Sequence, residues 1–187
     1  MVKPRQRPGD IAEPWVAQQW RAALPVVVRR DVDDQARVPV GVRGHEARAA
    51  RRRLGTGAHI VRSVTPEMLV EARSITLLAV CLAAAGPGGL SPSPYTAGPW
   101  GWGVTGSTGY ALATEIPVLH AASDLDLLIR APQPLDREAL LEWQTRVAQL
   151  PCRADTQVET PYGAFAPNEW LRDGRALLKT SRGARRA

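Results

Sequence analysis

The chain is poor in the residues that staple small proteins or bind soft metals. Its 187 residues include two cysteines, Cys81 and Cys152, and three histidines, His45, His59 and His120. Two cysteines exclude a disulfide framework and the histidines have no zinc-ligand spacing, so both thiols are expected to be reduced packing residues. Long apolar runs are missing as well. The longest, Ile75 to Ala85, is interrupted by Thr76 and falls short of the roughly 20 residues that span a bilayer. The N-terminus, Met1 to Pro8, is basic but runs into Gly9-Asp10 where a secretory leader would turn apolar. No membrane partner is expected, and a cytoplasmic location is the default reading.

What is present suits a globular protein. Hydrophobic residues make up 44% and charged residues 22%, which argues against wholesale disorder. The length allows one domain or two small ones, and the 16 glycines and 16 prolines predict many turns. The formal net charge of +6 is unevenly placed. Residues 1 to 80 hold 14 Lys or Arg against 8 acids, whereas residues 81 to 187 hold 10 of each. A basic module beside a neutral, carboxylate-bearing one suits the delivery of an anion to a metal site, and it also admits nucleic acid.

Periodicity supplies the elements. Trp15, Val16, Trp20, Ala23 and Leu24 have helical spacing behind Pro14. Pro25 to Arg30 and Val38 to Arg43 read as neighbouring strands around the acidic turn Asp31 to Asp34, and His45 to Arg53 as an arginine-rich helical turn. Thr65 and Pro66 start a helix carrying Leu69, Ala72, Ile75, Leu78, Ala79 and Leu82 towards Gly86, after which a proline-rich loop runs to Gly103. A strand over Trp102 to Thr105, a helical turn over Gly109 to Thr114 and a strand through Asp124 and Asp126 follow. Asp136 caps a helix with Leu140, Trp143, Val147 and Leu150 on one face, ending at Pro151. From Arg153 to Thr160 the chain alternates, with Asp155, Gln157 and Glu159 on one side. Further strands are expected within Gly163 to Trp170 and Arg175 to Thr180, and the basic tail from Arg182 is expected to fray. The fold class is therefore α/β, of α+β type. A small basic domain over residues 1–64 precedes a mixed-sheet domain over 65–187.

The chemistry concentrates in Ser123-Asp124-Leu125-Asp126-Leu127-Leu128-Ile129. Side chains alternate along a strand, so Asp124 and Asp126 share a face about 7 Å apart. Two like charges beside an aliphatic run are costly unless a cation compensates them. Magnesium is the natural candidate, since it takes hard oxygen ligands and binds through one or two carboxylates together with substrate phosphates.

Other motifs fare less well. Gly101-Trp102-Gly103-Val104-Thr105-Gly106 formally matches a dinucleotide fingerprint, but a proline-rich loop leads in and Pro117 cuts the following helix short. A Walker loop fails because Ser107 occupies the lysine position. Gly106-Ser107 instead suits the start of a short helix, where free amides favour phosphate oxygens. Trp100 and Trp102 beside it suit either packing or stacking on an adenine.

Gly106-Ser107, then Asp124-x-Asp126, then Asp155 on a later strand resembles the nucleotidyltransferase superfamily, with Glu159 as a substitute third acid. A nearer likeness rests on Thr105-Gly106-Ser107-Thr108-Gly109-Tyr110-Ala111-Leu112-Ala113, Ser123-Asp124-Leu125-Asp126-Leu127, Leu150-Pro151-Cys152-Arg153-Ala154-Asp155 and Glu159-Thr160-Pro161. In the first half it rests on Val27-Val28-Arg29-Arg30, Val40-Gly41-Val42-Arg43-Gly44 and Val64-Thr65-Pro66-Glu67. Together, over about residues 7 to 180, these resemble the phosphoribosyl-dephospho-CoA transferases of malonate decarboxylase systems.

The resemblance implies transfer of a phosphoribosyl-dephospho-CoA group from 2'-(5''-triphosphoribosyl)-3'-dephospho-CoA to a serine of the acyl-carrier subunit, with release of pyrophosphate. It implies magnesium on Asp124, Asp126 and Asp155, and phosphates on Gly106 and Ser107. Of the first-half arginines Arg29, Arg30, Arg43, Arg48, Arg51, Arg52, Arg53 and Arg62, the best phosphate candidates are Arg29, Arg43 and Arg62. Arg51 to Arg53 read as a solvated face. The alternatives are another magnesium-dependent nucleotidyltransferase, adenylylating a protein or small molecule, and a non-catalytic nucleic-acid-binding module. The latter leaves the aspartate pair without a role, so nucleic acid is not an expected partner.

Overall fold

The computed structural model describes residues 1–4, 25–29, 38–43, 50–55, 60–70, 100–116, 118–120, 123–150 and 152–186. It divides into two compact units, Met1–Val64 and Thr65–Ala187.

In the first unit, β1 (Val2–Pro4) pairs antiparallel with β5 (Ile60–Ser63). The terminal amine of Met1 donates to the Val64 carbonyl, and Val64 N–H returns a bond to Met1 O at 2.7 Å. A separate three-stranded meander joins β2 (Val27–Val28), β3 (Val38–Arg43) and β4 (Ala50–Gly55). Val27 lies opposite Gly41 and Val42 opposite Arg51. The expected helical turn over His45 to Arg53 is thus corrected, because residues 50–55 complete an antiparallel ladder with β3. Such an argenine-rich window has no apolar face of its own to indicate a strand. Its partner strand decides the conformation. The expected helix behind Pro14, the turn Asp31 to Asp34 and residues 45–49 lie outside the described residues.

The second unit is built on a six-stranded mixed sheet. Its strands in chain order are β6 (Gly101–Val104), β7 (Leu125–Arg130), β8 (Ala154–Thr160), β9 (Gly163–Phe165), β10 (Leu177–Thr180) and β11 (Gly183–Arg186). They lie side by side in that same order, and only β7 and β8 run parallel. Parallel neighbours need a crossover. Helix α2 (Arg137–Val147) supplies it, following α1 (Gly106–Thr114) and preceding α3 (Pro167–Asp173).

Asp136 caps α2 as its sequence promised, accepting from Glu138 N–H at 2.8 Å and Ala139 N–H at 3.3 Å. The helix ends at Val147, four positions before the expected stop at Pro151. Its Leu140, Trp143 and Val147 are buried over one face of the sheet, against Trp102, Val104, Leu125, Leu127, Ile129 and Val158. Thr156 on that face is satisfied by Trp143 Nε1–H at 3.0 Å. Trp102 meets Trp143 edge to face with ring centroids 5.4 Å apart. The two tryptophans thus form core packing. Trp100 is buried in the same cluster, so of the two readings open for Trp100 and Trp102 the structure bears out packing.

Three local readings change. The start of the long helix at Thr65 is a short 3-10 helix, Glu67–Val70, with Met68 N–H reaching Thr65 Oγ1 at 3.4 Å; residues 71–99 lie outside the described residues. The stretch Gly163 to Trp170 divides into β9 and helix α3, which Pro167 opens and Gly174 closes in a left-handed conformation. The tail is paired, not frayed: Leu177 lies opposite Arg186 and Thr180 opposite Gly183. Cys152 is half-buried and packs against the core. No helix among the described residues is long and apolar enough to cross a membrane.

Candidate active site

Strand β7 is buried along its Leu125, Leu127 and Ile129 face and at Leu128, while Asp126 and Arg130 are half-buried, which explains its nearly continuous apolar run. Leu125, Leu127 and Ile129 enter the core under α2, while Asp126, Leu128 and Arg130 occupy the other face. Parallel register puts Asp126 opposite Asp155, Leu128 opposite Gln157 and Arg130 opposite Glu159. Residues in register share a face, so this side of the sheet carries an acidic row at one end and an arginine-glutamate row at the other.

The acidic row lies where β6 ends and where β7 and β8 begin. Thr105 N–H donates to Asp126 O at 2.9 Å, tying the end of β6 to the start of β7. The chain then turns through Gly106 at φ +61° into α1. A Cβ on Gly106 would stand 1.8 Å from Asp126 Oδ2. Glycine is therefore required twice, by its backbone conformation and by the carboxylate against it. Thr105 offers no side-chain cap to α1, so the first amides of this helix do not donate to its hydroxyl. Thus the structure brings Gly106, at the head of α1, to Asp126, although 20 positions separate the two in the sequence.

Asp124 lies just before β7 and not within it. Ser123 and His120 exchange bonds, Ser123 N–H to His120 O at 2.8 Å and His120 N–H to Ser123 Oγ at 3.0 Å, which fixes the approach. Leu125 N–H then donates to Arg153 O at 2.9 Å. The Arg153 guanidinium reaches both Asp124, Nε to Oδ1 3.7 Å, and Asp155, Nη2 to Oδ2 3.6 Å. Arg153 was not among the sequence candidates. Its one signal was the period of two that puts it on the Asp155 side of the chain.

Asp124, Asp126 and Asp155 are each anionic oxygen donors, the ligand chemistry that a hard divalent cation such as magnesium takes. In this arrangement the guanidinium lies between two of the three. Among the described residues no three His, Cys, Asp or Glu side chains are grouped so that they could hold a metal ion as they stand.

Glu159 belongs to the far row. Arg130 donates to its carboxylate and also, through Nε at 2.7 Å, to Glu67 Oε1. Four residues along a strand separate Glu159 from Asp155, about 13 Å, so Glu159 is a structural acid and not a substitute for Asp155. Burial raises the Glu67 pKa, but bonds from Arg130, its own backbone and Thr65 outweigh it and hold the carboxyl below its usual range. Next to this row, a Cβ on Gly103 would meet the Pro66 carbonyl carbon at 2.1 Å. The bare strand lets the 3-10 segment cross, and Val104 N–H donates to Pro66 O at 3.1 Å. Gly101 and Gly103 are strand residues in an antiparallel pair with β7, which removes the dinucleotide reading.

The three arginine candidates lie in the first unit. Arg29 follows β2, its N–H bonded to Pro39 O at 2.9 Å, while Arg43 ends β3 at the other end of the same meander. Arg62 sits on β5, in the separate two-stranded sheet opposite Lys3. Their backbone positions do not cluster.

Comparison with known proteins agrees across both units. Residues 2–66 match the family profile described as the phosphoribosyl-dephospho-CoA transferase MdcG N-terminal domain, and residues 91–187 match the corresponding C-terminal domain. A phosphoribosyl-dephospho-CoA transferase of Klebsiella pneumoniae is 77% identical over 176 residues, covering 94% of this chain and 85% of the relative. Proteins of the same name from Azotobacter vinelandii and Pseudomonas putida strain W619 are each 42% identical, and they cover 94% and 98% of the chain and 84% and 88% of the relatives, respectively. No solved structure matches.

Proposed function

The chain belongs to the phosphoribosyl-dephospho-CoA transferase family, and we propose that it transfers the phosphoribosyl-dephospho-CoA group from 2'-(5''-triphosphoribosyl)-3'-dephospho-CoA. The acceptor is a serine of the acyl-carrier subunit of malonate decarboxylase. Its hydroxyl oxygen bonds to the α-phosphorus, the bond to the β-phosphate breaks, and pyrophosphate leaves. A cytoplasmic location goes with this reading.

The observation that carries it is the meeting of Asp126, Asp155 and the start of α1 at one corner of the sheet. Asp124, Asp126 and Asp155 would hold magnesium, which when bound neutralises phosphate charge and orients the reacting groups. Gly106 and Ser107 present helix-terminal amides to the departing phosphates, where negative charge grows. Asp155, near the start of β8, receives the serine proton. Arg29, Arg43 and Arg62 are the first unit's candidates for phosphate contacts through their guanidinium forks.

The test is mass spectrometry of the apo carrier subunit after incubation with the enzyme, magnesium and the triphosphate. The expected result is a carrier mass increased by the prosthetic group, together with one pyrophosphate per transfer. An unmodified carrier, with ATP serving as the source of released pyrophosphate, would point to an adenylylating nucleotidyltransferase instead.

A further inference from the structure

The Arg153 side chain is mostly in solvent, with 74% of it exposed, yet it spans two carboxylates of the acidic row. Its backbone is the fixed part. The Arg153 carbonyl accepts from Leu125 N–H at 2.9 Å and so locks the entry of β8 to that of β7. Its guanidinium contacts, at 3.7 and 3.6 Å, are longer than hydrogen bonds, and exposed pairs of this kind are easily exchanged. A firmly based, weakly held cation therefore lies between two acids expected to serve a metal.

We propose that Arg153 is the internal counter-ion of the acidic row, displaced from Asp124 and Asp155 by the incoming divalent cation and then taken up by a phosphate oxygen of the triphosphate. This rests on the metal-dependent reading above. In the free protein the guanidinium offsets the repulsion between the carboxylates. On loading, both acids turn to the cation, and the planar fork, already at the mouth of the corner, meets a group whose geometry it matches better than it matches either acid. Arg153 is then a positioning residue with opposite effects on its two ligands. It opposes the metal and favours the phosphates.

The two signs give a test that does not depend on turnover. Manganese binding, followed by electron paramagnetic resonance without phosphate, is expected to tighten about twofold to fivefold in Arg153→Ala, as loss of an exposed competing ion pair predicts. With manganese saturating, inorganic tripolyphosphate is expected to bind roughly tenfold more weakly to the same variant, the loss of one charge-assisted contact. Arg153→Lys, which keeps the charge but not the fork, is expected to restore manganese affinity to the wild-type value while recovering only part of the tripolyphosphate affinity. The Arg153 carbonyl bond survives both substitutions, and circular dichroism checks that the fold does too. Unchanged or weaker manganese binding in Arg153→Ala, or undiminished tripolyphosphate binding, overturns the proposal. If the wild type and Asp126→Asn bind manganese equally, the metal reading itself fails, whatever Arg153 does.

Discussion

Asp126 and Asp155 stand directly opposite each other on adjacent parallel strands, with the Cα of Gly106 packed against the Asp126 carboxylate. Twenty-nine positions apart in the sequence, they are joined by strand register alone. Their shared face makes two like charges neighbours, and the Arg153 guanidinium, 3.6 Å from the Asp155 carboxylate, offsets part of that charge.

Asp126→Asn and Asp124→Asn are each expected to lower transfer to the carrier by on the order of 10²-fold or more while leaving the melting temperature within a few degrees of wild type. Asp124 just precedes β7 and Asp126 lies at its start, on the face turned away from the α2 core, and the amide keeps the shape. Near-normal turnover in either variant would remove the case for metal-assisted transfer.

Gly106→Ala is expected to lose activity to a similar degree and to cost about 1–3 kcal/mol of stability, because alanine is strained at this φ and its methyl displaces the Asp126 carboxylate. Ser107→Ala is the control for the helix start itself. It keeps the amide and should retain most of the activity. Denaturant unfolding and a transfer assay on the two variants separate the backbone requirement from the hydroxyl.

Gly103→Ala tests the crossing of the 3-10 segment over β6. A methyl 2.1 Å from the Pro66 carbonyl carbon cannot be accommodated without moving backbone, so a loss of about 1–3 kcal/mol is expected, the usual cost of overpacking. An unfolding midpoint equal to wild type would mean that this segment is not held against the strand.

Acid sensitivity should centre on Glu67. Its carboxyl lies below the ordinary 4.5, chiefly because bonds from Arg130 and neighbouring groups outweigh its burial. A depressed carboxylate contributes stability above its unfolded value and loses it as pH falls through the lower folded value. Glu67→Gln should therefore be less stable than wild type at pH 7, and the gap should close as pH is lowered from about 4.5 towards 3. Thermal melts of both proteins across that range decide it; a gap independent of pH would assign the effect to packing.

Much of the second unit was legible in the sequence because its signals are local. The Asp136 cap, the face Leu140, Trp143 and Val147, the alternation from Ala154 to Thr160 and the neighbouring aspartates each follow from the period of one element and the cost of burying charge. Trp102 shows where this fails, since an aromatic beside a glycine turn looks the same in sequence whether it awaits a ligand or, as here, meets another tryptophan. Residues 50–55 and the tail 183–186 show it again, because a charged strand with no apolar face is a strand only by virtue of the neighbour that pairs with it.

By itself, then, the amino-acid order determined which residues are acids within an apolar strand, where the second helix begins, and the family likeness carried by those motifs. Tertiary structure alone decided that Asp126 faces Asp155, that Gly106 touches the first of them, that Arg153 spans Asp124 and Asp155, and that Glu159 serves Arg130 at the far end of the sheet. The reason is physical. Periodicity and charge cost act over a few residues, whereas strand order and register are chosen by the packing of the whole sheet against its helices.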